Sequence, residues 1–247
     1  MGKRPSLVII DSVMQITWLS QGGFLFENNG KRIVVDPYLS NDLVKLGHDR
    51  MTPPPLSYEE LKPDCVIFTH DHLDHYDPIT VAEIVRLYPD CVFAGSQNTL
   101  NHHKALGYDC SKFSLLNVGD VFEFGGLTFK GVFAKHSDEF AIGLVISDGK
   151  KFVYLSGDTL DDEKIIPSII SATEGNTLDL AIVCINGKLG NMPWSDAFML
   201  VMKLMPRKTM PMHYGLFADN TEDPQPFFEH ALSVGIEIET GKNPFVV

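Results

Sequence analysis

No apolar run in the 247 residues approaches the length of about 20 that a membrane-spanning helix needs. The basic N-terminus leads only into the short apolar run 7–10, below the about 7–15 residues of a secretory signal. Met1–Ser6 fits the loose N-myristoylation pattern, which chance often satisfies. Cysteine is scarce. Cys65, Cys91, Cys110 and Cys184 are widely spaced and form no CxxC pair. That argues against a disulfide framework and for a reducing cytoplasm, with Cys65 and Cys184, set in apolar runs, as buried thiols. Basic residues are few, 20 against 32 acidic, for a net charge of −12. A field of that sign repels nucleic-acid phosphates, and no basic stripe offsets it. Neither a nucleic-acid nor a membrane partner is expected.

What is present is a regular succession of strand and helix signals. Residues 16–19, 24–26 and 32–35 are short β-branched and aromatic runs, the second and third joined by Asn29-Gly30, a strong hairpin signal. Residues 39–62 read as a loop with a short helix near 58–61. A buried strand is predicted over 65–69, and Asp77-Pro78 opens a helix to about Leu87. Further strands are expected at 92–94, 180–185 and 209–212, and at 122–124, 127–129 and 132–134, these last three separated by Gly-rich turns. Helices are expected after a Ser96 cap to near Gly107, after a Ser195 cap through Leu204, and over 225–234. The stretch 24–35, with Asp36 beyond it, is echoed by 144–155, with Asp158 slightly later, which suggests an internal duplication. Two such βα halves would pack two sheets face to face with helices outside, a four-layer αββα sandwich. No linker stands out, so residues 1–247 are expected to form one domain.

The densest chemical signal is FTHDHLDHYD at 68–77, straight after an apolar strand. Neutral imidazole and carboxylate suit Zn²⁺, Mn²⁺ or Fe²⁺. The loop leaves the carboxyl end of a buried strand, where open α/β sheets bind ligands. His70 and His72 can reach one metal from there, and Asp74 and His75 a second. His136, Asp158 and His213 each follow a predicted strand and complete a binuclear pattern. His48, His102, His103 and His230 fit no ligand position, and His102 and His103 read as exposed mid-helix residues.

Taken together, Asp36, THDHLDH at 69–75, His136, SGD at 156–158 and His213 resemble the metallo-β-lactamase superfamily. The resemblance implies that His70, His72 and His136 hold one divalent metal and Asp74, His75 and His213 another. Asp158 would bridge them, and Asp36 would orient a ligand histidine from behind. Residues 186–192 and 212–224, with 50–53 upstream, look like the branch containing L-ascorbate-6-phosphate lactonase. Its cytoplasmic members open a sugar-acid phosphate lactone with manganese.

These features imply a binuclear hydrolase with two Mn²⁺ or Zn²⁺ ions, Fe²⁺ being a third option. It would open a lactone or ester of a small anionic substrate with a water ionised between the metals. Asp74 or Asp158 would shuttle the proton. Arg50, Lys188, Asn191 and the helix start near Ser195 are candidate holders of an anionic tail, and Tyr214 and Phe217 candidate pocket walls. A small-substrate phosphodiesterase is the enzymatic rival, and a metal-dependent sensor without turnover the alternative class. A homo-oligomer is plausible by likeness to related enzymes.

Overall fold

The computed structural model describes residues 13–242 and 244–247. The apolar run 7–10 and the Met1–Ser6 acylation pattern lie outside the described residues. The strands are β1 (Gln15–Trp18), β2 (Phe24–Asn28), β3 (Lys31–Val35), β4 (Cys65–Phe68), β5 (Val92–Gly95), β6 (Phe113–Leu115) and β7 (Val121–Phe124). They continue with β8 (Leu127–Phe133), β9 (Ile142–Ser147), β10 (Phe152–Leu155), β11 (Leu180–Cys184), β12 (Lys208–Met212), β13 (Glu237–Ile238) and β14 (Phe245–Val246). The helices are α1 (Tyr58–Leu61), α2 (Pro78–Leu87), α3 (Gln97–Ala105), α4 (Ile165–Ala172), α5 (Trp194–Leu204) and α6 (Gln225–Ser233).

Two seven-stranded sheets form, in the orders β14-β1-β2-β3-β4-β5-β6 and β13-β12-β11-β10-β9-β8-β7. Side chains alternate across each strand, and the alternation sorts them into layers. Phe24, Phe26, Ile33, Val35, Cys65 and Ile67 face the second sheet, where they share one core with Phe129, Leu144 and Ile182. Their neighbours Leu25, Val34, Val66 and Phe68 face the other way, onto Val81 and Ile84 of α2. Ile169 of α4, Val201 of α5 and Phe227 of α6 join the core of the second sheet. The layers are therefore helix, sheet, sheet, helix, as the sequence predicts.

The two sheets also repeat one plan. β1, β2 and β3 pair antiparallel and β3 to β6 parallel; β8, β9 and β10 pair antiparallel and β10 to β13 parallel. Asn29 (φ 50°) and Gly30 (φ 71°) make the tight turn between β2 and β3. The β9–β10 hairpin uses a wider turn, with Asp148 Oδ1 accepting from the Lys150 and Lys151 amides.

Several expectations need correcting. Residues 127–129 and 132–133 belong to one strand, β8, which ends before Ala134. Gly131 is no turn; a Cβ there would strike the Asn117 carbonyl, so glycine admits a crossing backbone. Helix α4 and strands β6, β13 and β14 were not foreseen. Ser96 stands at the start of α3, but the Gln97 amide donates to Asn117 Oδ1 (3.1 Å) instead. Ser195 lies inside α5, whose first amide, on Trp194, donates to Glu222 Oε2 (2.9 Å). His103 is buried, not exposed, with Nδ1 2.9 Å from the Tyr76 hydroxyl. His102 is half-buried, 2.5 Å from Asp71 Oδ1. All four cysteines are free, and Cys65 and Cys184 are buried. Among the described residues no helix is long and apolar enough to cross a membrane.

Candidate metal centre

The carboxyl ends of β3, β4, β8, β10 and β12 open on one edge of the sandwich, and each is followed by a chemically notable side chain. These are Asp36, the 70–75 loop, His136, Asp158 and His213. The 70–75 loop is wound tightly, with the His75 and Tyr76 amides both donating to the His72 carbonyl (2.9 and 2.7 Å). That turn sends His70 and His72 to one side and Asp74 and His75 to the other. Asp77 then starts α2, accepting from the Ile79 amide (3.1 Å).

Among the described residues three groups of donor atoms result: His70, His72 and His136 in one, Asp74, His75 and His213 in a second, and a third, Asp36, His70 and His75, that overlaps both. His72 Nδ1 lies 3.0 Å from His136 Nε2, and His75 Nε2 lies 3.3 Å from His213 Nε2. Two nitrogens at about 2.0–2.1 Å from one tetrahedral metal would be about 3.3 Å apart. Asp158 lies between the clusters. Its Oδ1 is 3.2 Å from Nε2 of both His75 and His213, and its Oδ2 is 3.9 Å from His136 Nε2 and 4.0 Å from His70 Nε2.

The surrounding hydrogen bonds fix which ring nitrogens face inward. The Thr69 amide and hydroxyl donate to Asp36 (2.8 and 2.5 Å), and His75 Nδ1 lies 2.8 Å from the same carboxylate. His75 therefore gives its Nδ1 proton to Asp36 and turns Nε2 to the centre. Thr69 has spent its proton on Asp36, so its oxygen accepts from His70 Nδ1 (3.0 Å). His136 Nδ1 donates to the Gly190 carbonyl (3.1 Å). The inward His70 Nε2 is buried without a hydrogen-bond partner, and Asp158 Oδ1 meets only the two imidazole nitrogens of His75 and His213. Lone pairs converging on buried carboxylate oxygens are tolerable around cations and costly otherwise, so the residues fit divalent metals.

The electrostatics divide in the same way. Burial opposes charge on His75, but Asp158, Asp74 and Asp36 outweigh it and hold its pKa well above the imidazole range. His213 is pushed up to about 9, again against burial, chiefly by Asp158. Burial likewise opposes charge on Asp158 and Asp74, yet His213 and His75 pull both below the usual carboxylate range. On the other side burial, aided by His75, drives His70 well down, and burial lowers His136. Protons can thus stand in for a cation at Asp74, His75 and His213, while His70 and His136 present bare lone pairs.

Gln21 was missed from sequence. It is fully buried, and its Nε2 donates to Asp74 Oδ2 (2.9 Å) and lies 3.1 Å from His213 Nε2. Its only sequence signal is the glycine pair beside it. Gly22 matters as well, since a Cβ there would lie 2.5 Å from His75 Cε1. Gln21 (φ 50°), Asp36 (φ 45°), Leu189 (φ 52°) and His213 (φ 63°) all hold the left-handed backbone region, strain of a kind that collects at functional sites.

A cavity of about 350 Å³ opens over the centre, lined by His72, Asp74, Asp158, His213, Asn191 and Phe217 together with several leucines. Asn191 Nδ2 donates to Asp158 Oδ2 (2.7 Å) and to Asn186 Oδ1 (3.0 Å), and Asn186 in turn donates to Asn220 Oδ1 (2.7 Å). Residues 186–192 and 212–224 therefore interlock to hold Asp158. Arg50, Lys188 and Tyr214 do not line the cavity. Arg50 donates to the Tyr38, Ser40 and Thr52 carbonyls (2.8, 3.2 and 3.1 Å), Lys188 to the Asp219 carbonyl (2.8 Å), and Tyr214 packs on Trp18.

Residues 15–213 match the profile of the beta-lactamase superfamily domain. The chain is 28% identical over 245 residues to the UPF0173 metal-dependent hydrolase of Methanopyrus kandleri, covering 92% of this chain and 95% of that one. Its fold is similar to that of Igni18, a metallo hydrolase of Ignicoccus hospitalis, with a TM-score of 0.76 at 23% identity over 95% of this chain and 98% of that one. It is also similar to an isothiocyanate hydrolase from Delia radicum gut bacteria, with a TM-score of 0.75 at 19% identity over 95% and 100%. These two likenesses speak to the fold alone. With the match spanning 15–213 and the two-sheet sandwich described above, the chain belongs to the beta-lactamase superfamily and has the metallo-β-lactamase fold.

Proposed function

We propose that this protein is a metal-dependent hydrolase that uses two divalent cations to open a carboxylic ester or lactone. The observation that carries the reading is the Asp158 carboxylate, one oxygen toward each donor cluster. The name of the Methanopyrus kandleri relative, a metal-dependent hydrolase, points the same way. When bound, such cations supply Lewis acidity and lower the pKa of water towards about 7.

The chain's own residues set the rest. His70, His72 and His136 would hold one cation, and Asp74, His75 and His213 the other. Asn191 fixes Asp158 from one side and Gln21 fixes Asp74 from the other, so neither carboxylate must reorganise during the reaction. Water adds its oxygen to the acyl carbon, the carbon–oxygen single bond breaks, and the proton passes to the departing oxygen. Asp74, half-buried in the cavity lining, would carry that proton.

The test is metal content by mass spectrometry after loading with manganese or zinc, with rates on a lactone and ester panel and on bis-p-nitrophenyl phosphate. The expected result is two bound ions, faster turnover of carboxylic substrates, and loss of turnover in Asp158→Ala. A faster phosphodiester would favour the phosphodiesterase reading. Metal uptake with no turnover would make the protein a binding module.

A further inference from the structure

We infer that the substrate carries an apolar acyl group rather than a phosphate tail, an inference that rests on the hydrolase reading of the same site. Leu43, Leu46, Leu73, Leu189 and Phe217 line the cavity over the donor clusters. A smaller recess of about 150 Å³ shares Leu43, Leu46 and Leu73 and adds Tyr38 and Pro78 beside the charged Asp42, Lys45 and Asp77.

Three of these leucines are exposed. Leu46 is 65% accessible, Leu73 39% and Leu189 68%. Single exposed leucines are ordinary, but three around one mouth form an apolar rim of the kind that marks a ligand surface. Leu189 adds an independent sign. Its backbone sits at φ 52°, where a leucine is strained, and its neighbour Gly190 carries the carbonyl that holds His136. The loop thus presents an apolar side chain from the turn that also orients a donor.

The charges tell the same story by being engaged elsewhere. Arg50 is spent on backbone carbonyls, and Lys188 on the Asp219 carbonyl. His48, which lines the cavity, is 2.7 Å from Asp219 Oδ2, and Lys45 in the recess is paired with Asp42. The start of α5, a natural seat for an anion, already receives the Glu222 carboxylate. A phosphate in the cavity would find His48, Ser137, Asn191 and Asn220 but, among the described residues, no lysine or arginine, whereas an alkyl group would be desolvated against the leucines and Phe217.

The test uses metal-loaded protein, p-nitrophenyl esters from acetate to octanoate, and 6-phosphogluconolactone as the anionic probe. Titration calorimetry with acetate and hexanoate gives a readout free of turnover. The expected kcat/KM rises about threefold or more per methylene until the cavity is full, and hexanoate binds well over tenfold more tightly than acetate. Leu189→Ser and Leu46→Ser flatten both trends. Turnover that is flat or falls with chain length, or that favours the phosphorylated lactone, overturns the inference and leaves the hydrolase reading standing. Chain-length-dependent binding without turnover of any ester keeps the apolar site and overturns the hydrolase reading. Absence of both overturns both.

Discussion

The side-chain amide of Gln21 donates to Asp74 Oδ2 at 2.9 Å from a turn 53 positions earlier in the chain. Gln21 carries no charge, yet it decides where a charge is held. Gln21→Leu leaves Asp74 without that donor and frees it to swing towards solvent. We expect metal affinity at the Asp74, His75 and His213 cluster to fall about 10–100-fold, with activity following. A chelator-competition titration measures the first, and steady-state kinetics at saturating metal the second.

Asp36 serves three donors at once, the Thr69 amide, the Thr69 hydroxyl and His75 Nδ1. Asp36→Ala strands all three in the interior, where each unsatisfied group costs about 1–3 kcal/mol. The expected outcome is a fall of several degrees or more in the thermal midpoint of the metal-free protein, and weaker metal binding than in Gln21→Leu. Should the variant fail to fold, Asp36→Asn keeps the shape and one acceptor, and should show weakened metal uptake in a folded protein.

Much of the donor constellation was legible because its side chains come in a dense local motif or sit one to three residues past apolar strands. The layers were legible for a similar reason, since alternation along β2, β3 and β4 sorts side chains to two faces. What escaped was set by distant partners. Glu222 and Asn117 complete the starts of α5 and α3 from other loops, so Ser195 misled, and Ser96 marks the N-cap of α3 without its side chain capping it. Gly131 read as a turn because no local rule shows that another backbone crosses there. Arg50 and Lys188 looked like anion holders because a sequence does not reveal which carbonyls a cation will meet. His103 looked exposed because its helix is polar overall, whereas tertiary packing against Tyr76 and Phe93 buries it.

Gly22 leaves room for the face of His75. Gly22→Ala would place a methyl 2.5 Å from Cε1 of a ring already pinned by Asp36. Overpacking at a buried site costs about 1–3 kcal/mol. A displaced ring would lose its aim at the centre, so one bound ion rather than two is expected by mass spectrometry under native conditions.

The pH dependence should change sign with metal. His213 has a folded pKa of about 9, above its unfolded value of about 6.5, so its proton stabilises the metal-free fold. That contribution is fully present below about 6.5 and is lost as pH rises through about 9. Urea midpoints in chelator should therefore fall between pH 6 and pH 9. Metal must displace the same proton, so affinity at this cluster should rise across that window. A midpoint that rises with pH in chelator would contradict the assignment of this proton.

The donor clusters each draw on both sheets. His72 meets His136 across 64 positions of chain, and His75 meets His213 across 138. A cation seated in either place acts as a removable rivet between the two halves of the molecule. At a free concentration about a hundredfold above its dissociation constant it would add about 2.7 kcal/mol to the fold. Cellular metal supply would then govern how long the protein lasts as well as how fast it works.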